Sequence, residues 1–204
     1  MEEREFIRSY NVDSAEKLSF MWNGKHSEGF EDSNQAFRRR IVDFITSSDL
    51  TVPDELLIDI LIAESKWAEQ AWCVYMKYQL IAERIIKQSG PKYIDEFLDS
   101  VFTCFDTYCA SLTMNLSGVN INDIVRTTEQ RKEQTRDNQM KKLYESGVEL
   151  FKQHLSGDPA KGLIALTGEV KVNNVKVIQP KLYHRIFRGI KEKMKRLFSK
   201  FWGQ

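Results

Sequence analysis

Apolar residues recur along most of this chain at the three- to four-residue spacing of amphipathic α-helices. The spacing predicts two short helices over about 13–22 and 32–47, followed by longer ones over about 53–89, 92–115 and 121–155. Prolines fall outside the interiors of these segments, where a fixed φ angle and a missing N–H do least harm. We therefore expect a mainly α protein with an irregular helical bundle.

The segment from Pro53 to Ser89 carries apolar residues around most of its circumference, which predicts one buried central helix. Glu64 interrupts this pattern because it projects among Ile60, Leu61 and Trp67. A carboxylate in such surroundings must find a partner or change its pKa. Hydrogen bonding to a neighbouring helix is the first interpretation of this candidate buried carboxylate. The alternative is a helical-bundle enzyme that uses Glu64 together with aspartates of the next helix.

Two groups of charged residues are interpreted as solvated surface. Asp95, Asp99 and Asp106 fall within a narrow arc of the predicted helix 92–115, but no matching set of metal ligands occurs on another helix. The arginine triplet at 38–40 fans out at about 100° per residue, so it does not form a compact basic patch. We therefore expect neither a metal nor a cofactor.

The middle of the predicted helix 121–155 is polar. Between Arg126 and Lys142, Met140 is the only clearly apolar residue. Such a stretch indicates either a helix that crosses solvent or a local loss of order. Only the second half of this segment has an apolar face to bury.

The apolar spacing changes from the helical period to a period of two between Val170 and Val177. The alternation runs on both sides of Asn173 and Asn174, and asparagine tolerates the positive φ of a tight turn, so a small β-hairpin is predicted. A two-stranded ribbon is marginal by itself in water. Its edge is therefore a candidate surface for self-association.

Residues 181–204 form the most unusual segment. They contain eight basic residues and one acidic residue, a net charge of +7, whereas the other 180 residues carry −6. Placed at helical spacing, the apolar and basic residues separate onto opposite sides. The apolar side holds Leu182, Ile186, Phe187, Ile190, Met194, Leu197, Phe198 and Phe201, the basic side holds Arg185, Arg188, Lys191, Lys195 and Arg196, and Trp202 lies near the end.

An aromatic apolar face opposite a cationic face is typical of helices that lie in a membrane interface. We expect a non-enzymatic binding or regulatory protein that attaches reversibly to an anionic membrane surface or to a protein groove through this basic amphipathic C-terminal helix. Packing of the helix onto the acidic body is an alternative. Nucleic-acid binding is a further alternative, less favoured because the aromatic residues lie opposite the charges and do not alternate with them.

Composition limits the setting of the protein. Three cysteines without a CxxC pair argue against a disulfide framework. The charged start of the chain does not resemble a secretion signal, and no apolar run reaches the length of a membrane span. We expect a cytoplasmic protein, attached peripherally to the inner membrane face. Its expected organisation is a helical bundle over 1–156, a loop and hairpin over 157–180, and the C-terminal helix over 181–204.

Overall fold

The computed structural model describes residues 2–48 and 50–156, which are mainly helical, as the spacing predicts. The α-helices are α1 (Glu2–Arg8), α2 (Gln35–Thr46), α3 (Asp54–Ala71), α4 (Tyr78–Ser89), α5 (Ile94–Val101), α6 (Phe105–Ser111), α7 (Ile121–Gln134) and α8 (Asn138–Leu155). Short 3₁₀ helices span Val12–Lys17 and Ser27–Gly29. The predicted hairpin at 170–177 and the predicted helix at 181–204 lie outside the described residues.

Helix α3 is the centre of the core. Most of its side chains are buried, and it packs against α4, α5 and α6. Helix α7 lies along α8, α8 contacts α5, and α1 packs on α2. The contact between α8 and α5 is especially close at Gly147, where an added Cβ would lie 2.6 Å from Leu98 Cδ1. The core is thus continuous from the N-terminal helices to α8.

The single helix expected over 53–89 is wrong, because the structure divides this segment into α3 and α4. Helix α3 ends at Ala71, and the next residue, Trp72, adopts a left-handed conformation with φ 58° and donates its backbone N–H to Ala68 O. Trp72 is one of the apolar residues of the segment that predicts a buried helix, yet its side chain is 84% exposed. Residues 72–77 then turn the chain so that α4 packs back on α3.

The single helix expected over 92–115 is also divided, into α5 and α6. The break lies at Cys104, whose backbone is extended with φ −149° and ψ 172°. The Thr107 hydroxyl accepts a hydrogen bond from Cys104 N at 3.2 Å, which caps the new helix. Asp95 and Asp99 therefore lie on a different helix from Asp106, and the acidic arc does not run along one helix.

The expected helix over 121–155 is likewise two helices, and its polar middle is neither an arm in solvent nor a loss of order. Helix α7 ends at Gln134, and α8 begins after Asp137, whose carboxylate accepts hydrogen bonds from Gln139 N at 2.7 Å and Met140 N at 3.3 Å. The polar residues surround the turn between the two helices.

The N-terminal region differs from its prediction in a similar way. The short helix expected over 13–22 is a 3₁₀ helix that covers only Val12–Lys17, and the helix expected over 32–47 corresponds to α2. Asn11 caps the 3₁₀ helix through a reciprocal pair of hydrogen bonds with Ser14. Helix α1 was not expected, because its seven residues are too few for a periodic pattern to be recognised.

Candidate functional site

Glu64 lies in the core and is paired with two arginines of α2. Its side chain is 1% exposed. Its Oε1 accepts from Arg38 Nε at 2.8 Å, and its Oε2 accepts from Arg39 Nη2 at 3.0 Å. The first interpretation of the sequence, a carboxylate hydrogen-bonded to a neighbouring helix, describes this arrangement. Both oxygens of the carboxylate are therefore already occupied.

Arg38 is fully buried, which contradicts the expectation that the arginine triplet is solvated surface. All the nitrogens of its guanidinium group have acceptors. Besides Glu64, they contact Asp32 Oδ2 at 2.7 Å, Leu18 O at 3.2 Å and Ser19 O at 3.4 Å. A buried guanidinium is tolerated only when its charge and its donors are satisfied in this way.

Arg39 lies at the outer edge of the site, and its guanidinium packs between two aromatic rings. It lies 4.1 Å from the centroid of Trp67 and 4.3 Å from that of Tyr75. The Tyr75 hydroxyl donates to Asp43 Oδ1 at 3.1 Å, and burial, together with that carboxylate, raises the pKa of Tyr75 to about 12. Lys77 also donates to Asp43 at 2.7 Å and lowers the pKa of that carboxyl group.

The charge cluster (Asp32, Arg38, Arg39 and Glu64) balances two positive with two negative charges. It joins four parts of the chain: the loop before α2, α2 itself, α3 and, through Tyr75, the connection to α4. Asp32 Oδ1 also accepts from Met21 N at 3.0 Å, so both oxygens of this carboxylate are bonded, one to Arg38 and one to the backbone of the loop. Such a fully satisfied network stabilises one packing arrangement. Its chemistry favours a structural role for Glu64 over proton transfer.

Of the aspartates proposed as partners of Glu64 in an enzyme, Asp95 is held by other side chains. Asp95 is paired with Arg131 of α7 and accepts from the Tyr144 hydroxyl at 2.8 Å. Within residues 2–48 and 50–156, no group of three or more His, Cys, Asp or Glu side chains could hold a metal ion. The histidines in this part of the chain are also separated: His26 lies against Trp22, and His154 Nε2 is 3.1 Å from Ser111 O.

The structure reveals an exposed apolar surface that the sequence analysis missed, at Trp72 and Met76. Their side chains are 84% and 77% exposed, and both lie in the connection between α3 and α4. The left-handed backbone at Trp72 costs a bulky residue roughly 1–2 kcal/mol. Helical spacing counts Trp72 among the buried residues because it treats the segment 53–89 as one continuous helix.

Helix α6 has an unusual distribution of buried residues. Its fully buried side chains are Thr107 and Ser111, whose hydroxyls bond to backbone carbonyls, including Val101 O at 2.9 Å and Thr107 O at 2.7 Å. Phe105 and Cys109 lie on the opposite side of the helix and are partly exposed. We call Phe105, Asp106, Tyr108 and Cys109 the α6 face. No sequence signal marks it, because threonine and serine are not expected to be the buried residues.

The proposed attachment residues, Leu182 to Trp202, lie outside the described residues. In the part of the chain that the structure does describe, no helix has both the length and the apolar character needed to cross a membrane. Searches with this chain against protein-family models, curated proteins and solved structures found no match.

Proposed function

We propose that this chain is a non-enzymatic binding protein that attaches reversibly to an anionic membrane surface through Leu182–Trp202. The observation that carries the proposal is the separation of charge, +7 in the last 24 residues against −6 in the other 180. Anionic lipids repel an acidic body, so attachment has to come from the basic segment. Each lysine or arginine near such a surface contributes about 1 kcal/mol.

The surroundings of Glu64 support binding over the enzyme alternative. The two oxygens of its carboxylate are held by Arg38 and Arg39, and 1% of its side chain is exposed. A general acid or base has to reach the proton that it transfers, within hydrogen-bond distance of the substrate. Glu64 would first have to lose both arginines, which leaves buried charges without partners.

Sedimentation with vesicles tests the proposal. The intact chain and a chain that ends at Pro180 are mixed with anionic and with neutral vesicles at two salt concentrations. We expect the intact chain to bind anionic vesicles, to bind less at high salt because screening weakens the attraction, and to lose binding on truncation. Equal binding to neutral vesicles, or equal binding by the truncated chain, would contradict the proposal.

Two pairs of substitutions separate the basic segment from the body. The K191Q/K195Q variant should bind anionic vesicles about 25-fold more weakly at low salt, the factor that corresponds to two lost lysine contacts. The matched control K25Q/K142Q removes two exposed lysines from the body and should bind nearly as the unchanged chain does.

Loss of vesicle binding in F187S/F198S would show that the apolar side is also needed. A chain that binds no vesicles leaves a protein groove as the partner to be sought.

A further inference from the structure

The α6 face is a partly exposed apolar surface within an acidic part of the chain. Residues 93–125 contain five acidic residues and no lysine, arginine or histidine. Asp95 and Asp123 are paired with Arg131 and Arg126. The other acidic side chains of this stretch, Glu96, Asp99 and Asp106, form no ion pair within the described residues.

Aromatic side chains complete this surface. Phe102, in the connection before α6, stacks on Tyr108 with ring centroids 5.6 Å apart and an interplanar angle of 24°. Phe105 and Cys109 are partly exposed and lie beside Asp106. Burial raises the pKa of Cys109 to about 12, and the negative charge of Asp106 contributes to this increase. Phe102 and Tyr108 pack against the core with part of each side chain exposed, and Phe105 lies on the side of α6 opposite the buried Thr107. The surface therefore offers partly exposed aromatic rings and unpaired carboxylates together.

The described chain ends close to this surface. His154, two residues before the end of the described chain, contacts Ser111 O at the end of α6 at 3.1 Å. Leu155 follows with 47% of its surface exposed. The chain thus leaves α8 beside α6. The 25 residues from 157 to 181 can extend at most about 85 Å, which is ample to bring the basic segment back.

We infer that the apolar side of Leu182–Trp202 docks on the α6 face when no membrane is present. The segment supplies aromatic residues and positive charge, and the α6 face supplies aromatic residues and negative charge. Attachment through the same chain raises the effective concentration of the segment, so weak contacts suffice for docking. Because docking and membrane insertion use the same apolar side, each excludes the other. The choice of Leu182–Trp202 as the docked segment rests on the proposed function. The experiment below distinguishes a failure of docking from a failure of membrane attachment.

Photo-crosslinking of the full chain tests the inference. A photoreactive phenylalanine analogue is placed at Phe198, on the apolar side, and in a second chain at Arg188, on the basic side. After irradiation without vesicles, crosslinked peptides are identified by mass spectrometry. We expect intramolecular crosslinks from position 198 to residues 99–109, and at least fivefold fewer from position 188, because the basic side faces away from the aromatic rings.

Charge substitutions provide the matched comparison. D99N/D106N should lower the crosslink yield from position 198 about fivefold, because Lys193 and Lys200, at the border of the apolar side, then lose two charge pairs. The control E28Q/E133Q removes the same number of exposed carboxylates elsewhere and should leave the yield unchanged. Far-ultraviolet circular dichroism checks that both variants remain folded. D99N/D106N should also bind anionic vesicles up to fivefold more tightly, because docking no longer competes.

The other outcomes overturn the inference. Crosslinks from position 198 to Trp72–Leu80 would place the segment on another surface, crosslinks between two chains would indicate self-association, and no crosslinks would indicate an undocked segment. Crosslinks to 99–109 in a chain that binds no vesicles would leave docking standing and remove the proposed membrane attachment. Vesicle binding without these crosslinks would do the reverse.

Discussion

The carboxylate of Glu64 lies between two arginines: Oε1 accepts from Arg38 Nε at 2.8 Å and from Arg39 Nε at 3.4 Å, and Oε2 accepts from Arg39 Nη2 at 3.0 Å. Arg38 also needs Asp32, so removal of one carboxylate leaves more positive charge in the core than the remaining one can balance. Burial of an ion pair removes both charges from water. Loss of one partner leaves the other charge buried without compensation, and the free energy that this costs is far larger than the net stabilisation that the pair provides.

We expect the E64Q substitution to lower the free energy of unfolding by about 3–5 kcal/mol, because it leaves Arg38 and Arg39 short of one negative charge. Urea denaturation followed by circular dichroism measures the change. E69Q is the matched control, since Glu69 is an exposed carboxylate of the same helix, and it should change stability by less than about 0.5 kcal/mol. A similar small effect of E64Q would show that the charge cluster does not contribute to stability.

The burial of Glu64 is predictable from the sequence, but its partners are not. Helical spacing places Glu64 among apolar residues, and burial of a carboxylate demands a partner. The same spacing gives the arginines at 38–40 no common side, so it cannot say which of them faces the core. Arg38 is selected by Asp32 and by the carbonyl groups of Leu18 and Ser19, which only the folded loop brings to it.

At the scale of elements, apolar periodicity predicts where helices form and overlooks where they end. Three expected helices are each divided in two, and none of the breaks lies at glycine or proline. Side-chain hydrogen bonds begin the second helix at Thr107 and at Asp137, and Trp72 ends α3 by its backbone conformation. Threonine and aspartate also occur inside helices, so these signals are weak until packing selects them.

Gly147 sets the distance between α8 and α5, so G147A should separate the two helices or displace Leu98. We expect a loss of about 1–3 kcal/mol in the free energy of unfolding, because Leu98 is fully buried and has little room to move. Chemical denaturation measures it. E145A, at an exposed position of α8, should be neutral or slightly stabilising through its higher helix propensity. A G147A protein as stable as the control would contradict this close contact.

At the scale of the whole molecule, stability should depend on pH through His154. Burial lowers the pKa of His154 below its usual value of about 6.5, although the contact with Ser111 O opposes the change. As pH falls below about 6.5, the unfolded chain takes up this proton before the folded chain does, so stability falls with pH until the folded pKa is passed. The slope from one histidine is at most about 1.4 kcal/mol per pH unit.

Denaturation between pH 7 and pH 5 tests this dependence. The H154Q variant should show a smaller slope in that range, and H26Q, which replaces an exposed histidine, should keep the slope of the unchanged chain. An unchanged slope in H154Q would mean that His154 does not supply the dependence.

The separation of charge along the chain is readable from the sequence, since it requires only counting. The surface that we propose to receive the basic segment is not, because α6 buries threonine and serine and leaves Phe105 and Cys109 partly exposed. That arrangement depends on how α3, α4 and α5 pack against a short helix, and no local pattern encodes it.

The exposed indole of Trp72 gives this protein an optical probe of its own. Trp67, five residues earlier, is 8% exposed and lies beneath Arg39, whereas Trp72 is 84% exposed. A water-soluble quencher therefore reaches one ring and not the other. Once Trp22 and Trp202 are replaced by phenylalanine, the two tryptophans that remain report separately on the core and on the surface, without any attached dye.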